Sequence, residues 1–107
     1  MITTREVGTG NQQVYQSDIM ILAIGATPNL ILPSLASMRE YKDKTGGNLQ
    51  PIMFFFKFEG TAITITPHAD DKVDYLVSET ITGYATGTIT ATSNNDWIVR
   101  YSQPIIN

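Results

Sequence analysis

The residues best suited to chemistry lie in the segment that follows Pro67. His68, the only histidine, is followed by Asp70 and Asp71, and Asp74 comes three residues later. Carboxylate-rich loops can bind Ca²⁺, and a histidine beside carboxylates can bind a metal or transfer protons. However, the chain has no second histidine or cysteine, and the calcium-loop pattern with its glycine and final glutamate is absent. The pattern therefore favours a turn capped by aspartate side chains over a metal site.

No pattern in the sequence predicts a catalytic centre. The chain has no cysteine nucleophile, and no serine or threonine stands in a recognisable nucleophile–base motif. Its ten acidic residues could supply the paired carboxylates of a glycoside hydrolase, but no spacing indicates which two would meet. We therefore expect a protein that is not an enzyme and that uses no cofactor and no metal.

Aromatic side chains offer a second kind of site, because they can stack against sugar rings. Tyr41, Tyr84 and Tyr101 are the candidates for contact with a host surface glycan. Trp97 shares a face with Val99 and Tyr101 in a segment of alternating apolar and polar residues, which places the indole in the core rather than at a sugar.

Charge and hydropathy exclude two classes of partner. The formal net charge is -3, and the seven lysines and arginines are spread singly along the chain. Nucleic-acid binding requires several phosphates to be neutralised together, so we expect none. The longest apolar run near the start, residues 19–24, is much shorter than the ~20 residues of a membrane-spanning helix. We therefore expect no membrane insertion, and the start lacks the pattern of a signal peptide.

The elements that must position these residues are mostly strands. Residues 61–67 and 94–101 alternate apolar and polar side chains, and turn residues recur along the chain. The pattern predicts an all-β fold, a small antiparallel β-sandwich or jelly-roll-like barrel with seven or eight short strands. Residues 34–44 allow at most one short helical turn. We expect one domain over residues 1–107, with residues 1–16 as an N-terminal arm.

The aromatic strand near the middle of the chain is expected to build the core. Phe54, Phe56 and Phe58 share one face, and Phe55 points to the other. The tight connection at 59–60 predicts a hairpin, in which the next strand pairs back with Ile63 and Ile65 facing inward.

Some apolar residues exceed the needs of a single core. The run 19–24 is apolar on both faces, and the strand 84–92 alternates threonine with small residues, which would allow another chain to approach closely. We therefore predict a self-association surface. Its residues are Ile19, Ile21, Phe55, Thr86, Thr88 and Ile89.

Four short motifs follow one another from residue 28 onward. They are Asn-Leu-Ile-Leu-Pro-Ser at 29–34, Ala-Ile-Thr-Ile-Thr-Pro at 62–67, Asp-Lys-Val-Asp at 71–74 and Ser-Asn-Asn-Asp-Trp-Ile-Val at 93–99. Their order resembles a module of bacteriophage tail fibres, tail spikes and related virion proteins. One departure is Tyr75, where the family usually has glycine after the third motif.

The resemblance implies a structural protein located in the virion. Such a protein would assemble as a homotrimer and contact other virion proteins, as a capsid decoration protein, a penton or spike component, or a tail-tip component. The alternative is a receptor- or glycan-binding module at a virion tip. A third interpretation is a cellular β-sandwich adaptor with no link to a virus.

Overall fold

The computed structural model describes residues 4–45, 52–92 and 95–104 of the chain. In chain order the elements are β1 (Thr4–Val7), β2 (Gly10–Gln13), β3 (Met20–Ala23), β4 (Pro28–Ile31), α1 (Leu35–Thr45), β5 (Met53–Phe58), β6 (Ala62–Thr66), β7 (Lys72–Val73), β8 (Glu79–Thr82), β9 (Ala85–Ala91) and β10 (Asp96–Ser102). The fold is therefore rich in strands, with one short helix.

The strands form two mixed sheets. The six-stranded sheet has the order β1-β3-β5-β9-β10-β7, and the four-stranded sheet has the order β2-β4-β6-β8. From β1 to β8 the chain alternates between the two sheets, so that β1, β3 and β5 run parallel in one, and β2, β4 and β6 run parallel in the other. The first six strands thus wind as three stacked turns of chain.

The tight turns that connect the two sheets stack on one another. Gly25 follows β3, and a Cβ atom at this position would clash with the backbone of Gly8 and Thr9, which connect β1 to β2. Gly60 follows β5 and lies in the same way against the carbonyl oxygen of Gly25. The backbone of Thr61 donates to the carbonyl of Ala26 (2.8 Å), which joins the second turn to the third. Glycine is required where two backbones approach this closely.

One hydrophobic core contains side chains from both sheets. Phe54, Phe56 and Phe58 of β5 are fully buried, as are Ile63 and Ile65 of β6, which confirms the predicted inward faces of both strands. Trp97 is also fully buried and stacks on Phe54, with 5.7 Å between the ring centroids. The prediction that Trp97 belongs to the core is therefore confirmed.

The helix is longer than the sequence indicated. α1 has 11 residues, or about three turns, whereas the predicted limit was a single short turn. The Ser34 side chain accepts a hydrogen bond from the backbone N–H of Ser37 (3.1 Å), as an N-cap does. Leu35 and Met38 are buried in the core, so tertiary packing stabilises a segment whose own helical signal is weak.

Three further expectations are wrong. Five of the eight strand pairings are parallel, so the fold is not an antiparallel one. The described residues contain ten strands instead of seven or eight. β5 and β6 lie in different sheets and do not form a hairpin, because the connection at 59–60 carries the chain across the core. β9 and β10 do form an antiparallel hairpin, and Ser93 and Asn94 of its connection lie outside the described residues.

Residues 4–16 do not extend away from the domain as an arm. β1 pairs with β3, and β2 pairs with β4, so this segment belongs to both sheets. Arg5 fixes it further through two hydrogen bonds to the Asp18 carboxylate, at 3.0 and 2.8 Å. Residues 1–3 of the expected arm lie outside the described residues. In the described part of the chain, no helix has the length and apolar character needed to cross a membrane.

Candidate functional site

The outer face of the six-stranded sheet carries several apolar side chains around Phe55. Strand register places Met20, Phe55 and Thr88 side by side across β3, β5 and β9, and Arg100 of β10 ends this row. Phe55 lies in the middle of the sheet, yet 40% of its surface is exposed. A phenyl ring in the middle of a sheet and still in contact with water is a candidate for burial by another chain.

Neighbouring rows continue the same surface. Leu22 pairs with Lys57 on one side of the Phe55 row, and on the other side Met53 and Ile98 both pair with Thr90. We use the term apolar outer face for five of these side chains, all of them half-buried or exposed. They are Met20, Leu22, Met53, Phe55 and Ile98.

The size of this face limits what it could bind. It spans four strands about 4.8 Å apart and roughly six residues at about 3.3 Å each, which gives on the order of 300–400 Å². A standard protein–protein interface buries about 800 Å² on each partner. Contact through this face alone would therefore be weak, and a stable assembly would need the neighbouring loops as well.

The predicted self-association residues divide between this face and the core. Phe55, Thr86 and Thr88 lie on the outer face of adjacent strands, and Phe55 is directly opposite Thr88. Ile21 and Ile89 are fully buried, so the prediction that they contact another copy is wrong. The run 19–24 is apolar on both faces, so alternation did not reveal which face covers the core. In the strand 84–92, the period of two places Ile89 on the opposite face from Thr86 and Thr88, so the three could not share one contact surface.

Ile19 lies at the margin of the outer face rather than in it. It precedes β3, 39% of its surface is exposed, and its carbonyl accepts a hydrogen bond from the Phe55 backbone N–H (2.8 Å). Ile24, at the other end of β3, is 56% exposed. Both residues could extend the apolar contact area beyond the sheet itself.

The three tyrosines proposed for sugar contact do not share one site. Tyr84 lines an open depression of about 310 Å³ together with Lys57, Glu59, Ser102 and Gln103. Charged, hydroxyl and amide groups beside an exposed aromatic ring are the groups that a polar ring-shaped ligand requires.

Tyr41 and Tyr101 lie outside this depression. Tyr41 lines a separate hollow of about 230 Å³ along α1, with Gln16 and Lys44. Tyr101 is 45% exposed near the end of β10 and lines neither hollow. Sequence reasoning passed over Tyr15 and Tyr75, which are 56% and 83% exposed.

The acidic segment after Pro67 is divided between two structural roles. His68 and Asp70 are exposed, whereas Asp71 is buried and accepts a hydrogen bond from the backbone N–H of Leu35 (2.9 Å) at the start of α1. Asp71 therefore caps a helix that is distant in sequence, whereas the sequence predicted that it would cap its own turn. Among the described residues, no three acidic or histidine side chains come together as metal ligands.

Asp74 belongs to a second structure, which we name the acid turn and define as residues 74–79. Asp74 and Tyr75 both adopt left-handed backbone angles, with φ of 48° and 66°. These angles are uncommon for residues other than glycine and require compensating contacts. The turn also presents three exposed apolar side chains, Tyr75, Leu76 and Val77.

Hydrogen bonds to β10 hold the acid turn in place. The backbone N–H of Asp74 donates to the carbonyl of Trp97 (2.7 Å), and that of Tyr75 donates to the Asp96 carboxylate (3.1 Å). In the opposite direction, the backbone N–H of Val99 donates to the Asp74 carboxylate (3.4 Å). The turn is therefore anchored on both sides of its left-handed residues.

Glu79, where the acid turn enters β8, is in an unfavourable position for a charge. Burial, together with the neighbouring Asp74 carboxylate as hydrogen-bond partner and as a like charge, raises the pKa of Glu79 to about 7. Its Oε2 atom is buried and has no donor within reach among the described residues. Sequence analysis missed Glu79 and Asp96 because their proximity to Asp74 arises only from the placement of β8 and β10.

No family model, curated protein or solved structure matches this chain.

Proposed function

We propose that the protein is a non-enzymatic structural component of a bacteriophage virion and that it assembles through its apolar outer face. The observation that carries the assembly step is the exposure of Phe55 on a sheet face that also carries Met20, Leu22 and Met53. Full burial of an exposed phenylalanine side chain contributes about 1.5–3 kcal/mol, and Phe55, at 40% exposure, would gain part of that amount in contact with a second copy. The virion assignment rests on the order of the four sequence motifs.

The proposed fold supports this role. We infer that the two sheets, joined by tight turns around one core, act as the two layers of a β-sandwich. A jelly roll is antiparallel, and the five parallel pairings argue against that variant. The turns of the parallel winding stack on one another through close backbone contacts, which suits a building block of a particle.

The proposed assembly is a homotrimer about a closed axis. Closed symmetry would bury the outer face of every copy and leave none exposed for open-ended growth. Because the face alone is small, we infer that the loops around Ile19 and Ile24 complete each contact. Other virion proteins would then bind the trimer, as a capsid decoration protein, a penton or spike component, or a tail-tip component.

The test is the solution mass of the protein, measured by light scattering after size exclusion over a series of concentrations. We expect the wild-type mass to rise towards three chains, and Phe55→Glu to remain a folded monomer. Thr82→Glu adds the same charge to an exposed position of the four-stranded sheet and serves as the matched control. A wild-type protein that stays monomeric at every concentration would contradict the proposal, as would unchanged assembly of Phe55→Glu.

A second candidate function is binding of a host surface glycan, favoured by the depression beside Tyr84. The aromatic ring could stack on a sugar while Lys57, Glu59 and Gln103 bind its hydroxyl groups. A glycan array followed by titration would test this function. Loss of binding in Tyr84→Ala with retention in Tyr41→Ala would support it, and an array without any hit would count against it.

A further inference from the structure

We propose that Asp74 and Glu79 act as a pH-sensitive latch that holds the acid turn against β10 while the two carboxyl groups share a proton. When both groups are ionised, their repulsion loosens the turn and its exposed apolar residues. This inference does not depend on the proposed virion function, because it concerns one chain and its own hydrogen bonds.

The first argument is the hydrogen-bonding state of the two carboxyl groups. Glu79 Oε2 is buried and, as an ionised oxygen, would have no donor among the described residues. A proton on Glu79 turns this acceptor into a donor, which can bond to the adjacent Asp74 carboxylate. One proton thus satisfies an otherwise unpaired buried atom, whereas two ionised carboxylates would repel each other.

The second argument is the absence of a compensating cation. β6, which pairs with β8, has no titratable residue in its sequence Ala-Ile-Thr-Ile-Thr. β7 contributes Lys72, and β10 contributes Asp96 and Arg100, but the salt bridges found among the described residues involve neither Asp74 nor Glu79. The neighbouring charge that acts on Glu79 is that of Asp74.

A third argument comes from Asp96, on the other side of the same turn. Asp96 is 4% exposed, its Oδ1 accepts the bond from the Tyr75 backbone, and its Oδ2 has no partner among the described residues. The Asp96 side chain accepts a hydrogen bond from the turn and provides no cation to compensate the Asp74–Glu79 pair. The stability of the acid turn against β10 therefore depends on whether Glu79 keeps its proton.

Asp74 connects the protonation state of the two carboxyl groups to the conformation of the acid turn. Its carboxylate accepts the bond from the backbone N–H of Val99, and its left-handed backbone sets the direction of the turn. Leu76 and Val73 exchange two backbone hydrogen bonds across the turn, at 2.8 and 2.9 Å. Displacement of the Asp74 side chain would weaken these contacts, and Tyr75, Leu76 and Val77 would lose their fixed positions.

The first experiment measures the latch directly in the full chain. The carboxyl carbons of Glu79 and Asp74 are followed by NMR between pH 3 and pH 9. We expect Glu79 to titrate near pH 7 in the wild type and to move back towards its ordinary value in Asp74→Asn. A Glu79 titration near pH 4.5 in the wild type would overturn the proposal.

The second experiment measures the consequence for the turn. Amide hydrogen exchange of Leu76 is compared with that of Thr61, whose N–H lies in a different turn, so that the intrinsic effect of pH cancels in the ratio. Between pH 5.5 and pH 8 we expect this ratio to rise roughly tenfold, the factor that corresponds to one pKa unit. In Glu79→Gln, which is permanently neutral and can still donate to Asp74, the ratio should stay constant. An equal rise in both proteins, or no rise in the wild type, would contradict the latch.

Discussion

Gly25 packs directly against the backbone nitrogen of Thr9, so that no side chain fits between the first and second turns of chain. The same stacking recurs between Gly60 and the carbonyl oxygen of Gly25. Glycine at these two positions allows the connections between the sheets to lie close enough for parallel strands to pair. The winding of the fold thus depends on backbone contacts as much as on the core.

Gly25→Ala should therefore destabilise the fold. The added methyl group would force the backbone of Gly8 and Thr9 to move, because neither can rotate away as a side chain would. We expect a loss of about 1–3 kcal/mol in the free energy of unfolding, measured by urea denaturation. Gly8→Ala is the matched control, since a Cβ atom there would meet nothing within 4 Å. A Gly25→Ala protein as stable as Gly8→Ala would show that the turns do not need this contact.

The adjacent residues Phe55 and Phe56 offer a test of which face of β5 carries stability. Phe56 is fully buried and Phe55 is 40% exposed. Phe56→Ala should cost about 3–5 kcal/mol, whereas Phe55→Ala should cost much less in the isolated chain. The fluorescence of buried Trp97 reports unfolding in both variants. Equal losses would mean that Phe55 contributes to the fold of the monomer rather than to a contact surface.

The features of the fold that were predicted correctly are those that depend on the local alternation of side chains. Phe54, Ile63 and Trp97 are buried as expected, because a period of two assigns side chains to faces whatever strand lies next to them. The parallel winding could not be predicted in this way. A tight connection at Gly60 fits a hairpin and a crossing between sheets equally well, and only contacts distant in sequence decide between them.

For the candidate sites too, local alternation predicted some residues correctly, whereas contacts that depend on the fold were missed. Phe55 was predicted on the surface because the opposite face of its strand, which carries three phenylalanines, is clearly the more apolar one. Ile21 was assigned to the surface wrongly because its strand is apolar on both faces. Ile89 was assigned wrongly because it was grouped with Thr88, which lies on the opposite face of the same strand. The pair Asp74 and Glu79 was missed because four residues separate them in the sequence. The left-handed turn between them contains no glycine that would have indicated it.

Asp71 should stabilise the start of α1. Its carboxylate accepts the Leu35 N–H at the end of the helix where the dipole favours negative charge. Asp71→Ala removes both contributions and leaves a buried donor without a partner, so we expect a loss of about 1–2 kcal/mol in urea denaturation. Asp70→Ala, at an exposed neighbouring position, should leave stability within about 0.5 kcal/mol. If the two variants lost the same stability, the Asp71 carboxylate would not stabilise the start of α1.

The pH dependence of stability should carry the signature of Glu79. Its pKa is raised from 4.5 to about 7 in the folded chain, so the folded state binds more protons than the unfolded state between these values. The stabilisation from the shared proton is fully present below pH 4.5 and is lost as the pH rises through 7. We therefore expect the Tm to fall by a few degrees between pH 5 and pH 8, a modest amount because the pair is half-buried and partly screened by water.

Glu79→Gln separates this contribution from all other titrating groups. The glutamine keeps the size of the side chain and a hydrogen-bond donor towards Asp74, but it has no proton to lose. The difference in Tm between wild type and Glu79→Gln should therefore widen as the pH rises from 5 to 8. The other titratable groups, including the exposed His68, are present in both proteins, so their contributions cancel in the difference. A difference that stays constant over this range would show that Glu79 loses its proton at an ordinary pH.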